Sequence, residues 1–429
     1  IMIHPSDHRS PSSSLSLEAF CAHEVASFEA QGLKRWMRPV VGPQGPRLSL
    51  EGKSYENFSS NDYLGLAAHP TIQQRARETL DTYGTGSGAS PLITGCLEPM
   101  RALQTSLAQW KQCEATLVFN SGYAAALGTL TALAGPQDIL ILDKLCHACL
   151  IDAARMSQAT LRVFAHNHLE QLEKRLAWAR ETMAKRPASE RGRIGVVVES
   201  VYSMDGDAAP IPSIVELKDR YEAWLMVDEA HATGIFGPHG AGWVHELGMQ
   251  DRIEIQMGTM GKALGASGGF IAGSFHLIEY LKHRARSLVF STAPSPVVCG
   301  AALAAVELLQ TQEGQRQRER LHLNIRTLQG AIPPKWQSGR AQDGDMGLLY
   351  PGELATPIMA WMAGSTQGSL DLSNSLAEHG FWVPAIRYPT VSRNAARLRV
   401  SLSAAHSPHV VEDLAARLVE TSASYCSPS

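Results

Sequence analysis

Lys262 stands among small residues in Gly258-Thr259-Met260-Gly261-Lys262-Ala263-Leu264-Gly265. A lysine so placed has little side-chain cover of its own, and a nearly neutral amine in a pocket can condense with an aldehyde. A solvated lysine in a turn is the other reading this segment leaves open. It is not a P-loop, because Gln256 and Ala263 occupy positions where that motif requires Gly and Ser or Thr. Upstream, Asp228 closes the apolar run Leu225-Met226-Val227 and precedes His231 by three residues. A carboxylate there can keep a pyridine nitrogen protonated and make its ring an electron sink. The plainer reading is a helix cap.

Asn120-Ser121-Gly122-Tyr123 follows the apolar run Ala115–Phe119. A helix opening at Ser-Gly aims free backbone N–H groups at a phosphate, with the helix dipole behind them. Helices that bind nothing also start this way. Gly84-Thr85-Gly86-Ser87-Gly88 lacks the G-x-G-x-x-G spacing of a dinucleotide site. Cys146-His147-Ala148-Cys149 suggests metal or redox chemistry, yet no second Cys or His pair at ligand spacing accompanies it. Leu150 excludes haem attachment, and His166 and His168 around Asn167 read as a loop.

These residues need elements to hold them. Ala115–Phe119, Asp138–Leu142, Gly195–Glu199, Trp224–Asp228 and Ile253–Met257 are apolar runs of strand length. Leu169, Leu172, Leu176, Ala179 and Met183 recur at steps of three and four and mark one helix face. Apolar strands alternating with helices predict a parallel sheet covered on both sides. Ligands gather beyond the carboxyl ends of such strands, where the polar residues above fall. Gln310–Arg320 is strongly polar and reads as the exposed part of a long helix.

The chain has 429 residues, 44% apolar and 18% charged, so it is folded along most of its length. With 38 basic and 41 acidic side chains it carries no general attraction for nucleic acid or an anionic membrane. The longest mostly apolar stretch, Tyr123–Gly135, is too short to span a bilayer. Seven cysteines do not make a disulfide framework, and the start has no basic stretch leading into an apolar run. A cytoplasmic protein is expected. Ile1 before Met2 reads as a start-site artefact, Ser10–Ser14 as a disordered leader and Ser422–Ser429 as a frayed tail.

Further segments carry a family pattern. They are Asn57-Phe58-Ser59-Ser60-Asn61-Asp62-Tyr63-Leu64-Gly65-Leu66, Tyr202-Ser203-Met204-Asp205-Gly206-Asp207 and Ala385-Ile386-Arg387-Tyr388-Pro389-Thr390-Val391. Arg397-Leu398-Arg399 and Ser403-Ala404-Ala405-His406 follow. In this order, with the segments around Gly122, Asp228 and Lys262, they resemble the α-oxoamine synthases, pyridoxal-phosphate enzymes of fold type I, from about Gly32 to Leu418.

The resemblance implies an α/β fold with pyridoxal 5'-phosphate as cofactor. It implies a large domain over 57–300, with a mostly parallel seven-stranded sheet covered by helices, and a smaller α/β C-terminal domain over 301–429. Residues 1–56 form a leader and an arm that packs on the small domain. Lys262 would hold the cofactor, Asp228 pair with its ring nitrogen, His231 bond its hydroxyl, and His147 stack on its face. Ser121, Gly122 and Tyr123 match the phosphate loop, and Ser203 and Thr259 match hydroxyls at the cofactor. Glu199 lies on the strand leading there, and Thr292 would reach the phosphate of the partner subunit in a homodimer with shared sites.

For substrates, Asn61 and Arg399 match groups that hold an amino-acid carboxylate, a task suited to a guanidinium fork. Thr390 matches a substrate contact, and Arg35 (or its neighbour Lys34) the arginine near the acyl substrate. Asp207 and Ala385-Ile386-Arg387 point within the family to L-alanine and a pimeloyl thioester, on coenzyme A or an acyl-carrier protein. Members using glycine or serine share the lysine, aspartate and histidine segments and stay open, as does a silent binding protein of the same fold. Pro91, Thr94 and Pro294-Ser295 depart from the family pattern near the acyl entrance and bear on acyl-chain preference.

Overall fold

A nearly continuous apolar strand is stable only between two covered faces. The computed structural model, which describes residues 16–338, 346–349, 354–392 and 394–426, shows how such strands are covered. Ile1 and the Ser10–Ser14 leader lie outside the described residues, as do the last three residues of the tail. Seven strands make the large sheet: β1 (Ala115–Phe119), β2 (Ile139–Asp143), β3 (Thr160–Phe164), β4 (Ile194–Glu199), β5 (Trp224–Asp228), β6 (Ile255–Thr259) and β7 (Gly269–Gly273). Their order is β1-β7-β6-β5-β4-β2-β3, and only β7 runs against the rest. Every residue of β2 and β4 is buried. The face predicted for Leu169–Ala184 is inward, with Leu172, Leu176, Ala179 and Met183 buried.

β3 and β7 are not among the predicted strands. β3 is an edge strand whose Arg162 and Thr160 break the apolar run. β7 reads Gly-Phe-Ile-Ala-Gly, too short and glycine-bounded to register alone. Its Phe270 packs where a side chain on Gly258 would otherwise stand, 2.3 Å from that position.

The C-terminal part builds a second, five-stranded sheet around Ile358–Ala363 and Arg397–Ser401, which pair antiparallel. The N-terminal strand Lys53–Asn57 pairs in parallel with Phe381–Trp382 of that part. Gln310 ends the helix Pro296–Leu309, and Thr311 caps a new one, Gln312–Ala331, whose polar beginning is exposed. The expected exposed part of a long helix is thus the beginning of Gln312–Ala331, and only Gln310 and Thr311 fall at the junction before it. The tail differs from its prediction. Helix Pro408–Cys426 runs through Ser422, which is buried and accepts a hydrogen bond from Trp361 Nε1 at 2.9 Å, so tertiary packing holds what composition read as fraying.

His406 joins these parts. Its ring stacks on Phe58 with centroids 4.2 Å apart, Nε2 donates to the Asn57 carbonyl at 2.9 Å, and Nδ1 accepts from Ser403 N–H at 3.1 Å. Burial pulls its pKa down to about 4 against the hydrogen bond to Asn57, which pulls the other way. Protonating Nδ1 would set two donors against each other. A pKa depressed on folding adds stability above the unfolded value of 6.5, and that stability is lost as pH falls toward 4. The gap is about 3 kcal/mol. Denaturant titrations from pH 7 to 4 should show this slope, and His406→Gln should flatten it; an unchanged slope in the variant would assign the effect elsewhere.

Candidate functional site

The parallel sheet delivers its polar residues at one edge. β1 ends into Asn120–Tyr123, β2 into His147, β4 at Glu199, β5 at Asp228 and β6 at Thr259, all carboxyl ends of strands that point one way. Because the spatial order differs from the chain order, residues far apart in sequence become neighbours. Glu199 and Asp228 are register partners on adjacent strands.

Lys262 follows β6 in a turn and is partly open to the cleft. Its Nζ lies 2.8 Å from His231 Nε2. His231 Nδ1 lies 2.7 Å from the hydroxyl of Tyr63, which is wholly buried. Tyr63 in turn meets Asn61 Oδ1 at 3.0 Å and Arg399 Nη2 at 3.2 Å. Arg399 Nη1 donates to Asn61 Oδ1 at 3.2 Å and to Ser401 Oγ at 2.6 Å, and its Nε donates to the Ser203 carbonyl at 2.6 Å. One hydrogen-bonded chain thus runs from the amine to the guanidinium, through Lys262, His231, Tyr63, Asn61 and Arg399.

Burial lowers the pKa of Lys262 to about 8; Asp228 and Glu199 oppose the fall and Arg399 adds to it. Desolvation raises Asp228, against Lys262 and the Ala230 N–H that its Oδ1 accepts at 2.9 Å. Burial, Lys262 and Arg399 together hold His231 well below the ordinary histidine value, so its ring is neutral.

His147 is open to solvent on one side, while the chain crowds the other and lowers its pKa by desolvation. Its backbone N–H donates to Glu199 Oε1 at 2.5 Å, and Cys149 Sγ lies 3.0 Å from its Nδ1. Cys146 and Cys149 are both buried and therefore frame the histidine.

Ser121 caps the helix Gly122–Leu133 by accepting from Ala124 N–H at 3.0 Å. A Cβ at Gly122 would lie 3.4 Å from Met257 Cε and 3.8 Å from Thr259 Oγ1, so the helix start and the end of β6 adjoin. The Tyr123 hydroxyl donates to Asp152 at 2.7 Å. The exposed Thr292 is tied to this end by its carbonyl, which accepts from Asn120 Nδ2 at 2.8 Å.

Arg35 and Thr390 are not joined to this group by a hydrogen bond or ion pair among the described residues. Arg35 is exposed, and its neighbour Lys34 pairs with Glu29 at 3.0 Å. Thr390 sits in a turn closed by its N–H on the Arg387 carbonyl. Tyr63 is the site member that inspection of single residues passed over. Its sequence signal was its place in the family segment Asn57–Leu66.

Comparison with known proteins identifies the family. The family model for class I and II aminotransferases matches residues 53–418. An 8-amino-7-oxononanoate synthase of Herminiimonas arsenicoxydans is 42% identical over 400 residues, covering 92% of this chain and 97% of the relative. Among solved structures, a serine palmitoyltransferase of Sphingomonas wittichii superposes with a TM-score of 0.84 at 28% identity, over 96% of this chain and 99% of the other. An SPT structure containing PLP matches with the same TM-score at 26% identity, over the same shares of the two chains.

Proposed function

Since this chain belongs to the class I and II aminotransferase family, in its α-oxoamine synthase branch, we propose that it joins L-alanine to a pimeloyl thioester. The products are 8-amino-7-oxononanoate, carbon dioxide and the free thiol carrier, a step of biotin biosynthesis. The observation that carries this reading is the hydrogen-bonded chain from the Lys262 amine to the Arg399 guanidinium. It sets a nucleophilic amine and a carboxylate-binding fork in one site.

The residues fit pyridoxal 5'-phosphate. The carboxyl of Asp228 is buried at a strand end and suits a ring nitrogen, and the glycine start of a helix leaves room for a phosphate among Ser121, Gly122, Tyr123 and Thr259. His147 suits the ring face, His231 and Ser203 the ring hydroxyl side, and Thr292 the phosphate of the partner subunit in a homodimer. When bound, the cofactor supplies an electron sink for charge developing at the amino-acid α-carbon.

The chain's own residues do the rest. Arg399 and Asn61 hold the alanine carboxylate, Thr390 contacts substrate, and Arg35 stands near the acyl substrate. Lys262, freed as an amine, takes the α-proton and later returns one to the product. Glu199 fixes the His147 loop through its backbone N–H. Holding both reactants in line lowers the barrier by several kcal/mol, up to roughly 7–11. The division at about residues 57 and 300, an arm over 1–56 and a cytoplasmic setting belong to the same reading.

Two measurements test it. Cofactor-loaded protein given pimeloyl thioester with alanine, glycine or serine should yield 8-amino-7-oxononanoate by mass spectrometry with alanine alone. A product from glycine or serine instead would reassign the amino acid, and none with any of them would end the proposal. Cofactor uptake by the apoprotein should quicken as pH rises, with a midpoint near 8, because only the free amine of Lys262 attacks. A rate that is flat from pH 7 to 9 would contradict the assigned amine.

A further inference from the structure

The Tyr63 hydroxyl has three polar neighbours and one proton to share among them. Arg399 Nη2 can only donate, so it occupies one of the two lone pairs. Asn61 Oδ1 can only accept, and it is identified as the oxygen of that amide because Arg399 Nη1 donates to it. The Tyr63 proton therefore points to Asn61, across 3.0 Å. The remaining lone pair faces His231 Nδ1 at 2.7 Å, and it is filled only if Nδ1 carries the hydrogen. Were Tyr63 to donate to Nδ1 instead, its oxygen and that of Asn61 would meet lone pair to lone pair with no proton between them. That arrangement leaves a buried contact unsatisfied.

We propose that Tyr63 is a positioning residue which, through Asn61 and Arg399, holds His231 in the tautomer protonated at Nδ1, so that Nε2 stands as a proton acceptor 2.8 Å from Lys262 Nζ. The role assigned to this acceptor rests on the function proposed above; the tautomer itself is a property of the chain alone. It also links the two ends of the site. A carboxylate arriving at Arg399 and Asn61 competes for the donors that orient the Tyr63 proton, and so bears on the acceptor at the amine.

The charged and titratable groups facing His231 are Lys262, Arg399 and His147, with the Tyr63 hydroxyl. Those facing Lys262 are Asp228, Glu199, Arg399, Cys149, His147 and His231 itself. None of these carboxylates touches His231 by hydrogen bond or ion pair among the described residues, so two contacts set its tautomer: the Tyr63 hydroxyl at Nδ1 and the Lys262 amine, a pure donor when protonated, at Nε2.

The test uses the full cofactor-free chain labelled with 15N-histidine, with the His231 signals assigned by their loss in His231→Gln. Long-range 15N–1H spectra report which ring nitrogen is protonated, and wild type should show Nδ1–H. Tyr63→Phe should move the ring toward Nε2–H. The pH at which Lys262 is half-labelled by an aldehyde and borohydride should then fall by about one pH unit, a tenfold change, because an N–H now faces the ammonium. Asn61→Ala, at a partly exposed position, keeps the hydroxyl and should shift the tautomer in the same direction even if Tyr63→Phe fails to fold. An Nε2–H ring in wild type, or an Nδ1–H ring kept in both variants, overturns the proposal. Either result is independent of the alanine product assay, so the two readings fail separately.

Discussion

Lys262→Ala should take up pyridoxal 5'-phosphate and make no 8-amino-7-oxononanoate. Among the groups proposed to hold the cofactor, Asp228 on β5 and the start of helix Gly122–Leu133 are left in place by the substitution, and His231 loses one contact. What it removes is an amine with a pKa of about 8, poised to gain and lose protons near neutral pH. The other groups are less well placed: His231 Nε2 accepts beside the amine but its ring is fixed by Tyr63, and Glu199 is occupied by the His147 backbone. Turnover should fall by at least about 10⁴-fold, more than 5 kcal/mol of barrier. Product formation within tenfold of wild type, measured on cofactor-saturated variant, would remove Lys262 from the chemistry.

The second large effect concerns stability. Lys111 and Glu229 form an ion pair at 2.5 Å with side chains 1% and 0% exposed. Lys111 Nζ also donates to the Ala241 carbonyl at 2.6 Å, and Glu229 Oε1 accepts from Val244 N–H at 2.8 Å. The pair is sealed by Gly242, where a Cβ would stand 2.4 Å from Glu229 Oε2 at a φ of +125°. Such pairs contribute little over a packed apolar substitute, but removing one partner strands a buried charge.

Lys111→Met should therefore cost about 3–5 kcal/mol in denaturant titration, and Lys111→Met with Glu229→Leu should recover most of it. A single-variant loss below about 1 kcal/mol would mean that water reaches the carboxylate. Because Glu229 adjoins Asp228, the single variant should also loosen cofactor binding, while the double variant restores it.

Which parts of this were legible in the chain follows from local pattern. β1, β2, β4, β5 and β6 announced themselves because strands buried on both faces are almost wholly apolar. The polar residues at their carboxyl ends stood out for the same reason, since a sudden Asp, Ser or Lys after such a run needs explaining. β7 was hidden because glycines bound it, and the break at Gln310–Thr311 because polar residues suit a helix surface and a junction equally. Tyr63 could not be found by periodicity or spacing. Its partners lie 168 and 336 residues away, and only the folded chain brings them to one hydroxyl. Lys111 was passed over likewise: a lone lysine after a helix reads as solvated until Glu229 is seen opposite it.

The Lys262 amine comes from the large sheet, whereas Arg399 comes from the strand Arg397–Ser401 of the other sheet, which only helix Pro408–Cys426 follows among the described elements. During synthesis, N-terminal regions fold first. The growing polypeptide consequently acquires a reactive amine well before it acquires the guanidinium that would retain an amino acid beside it.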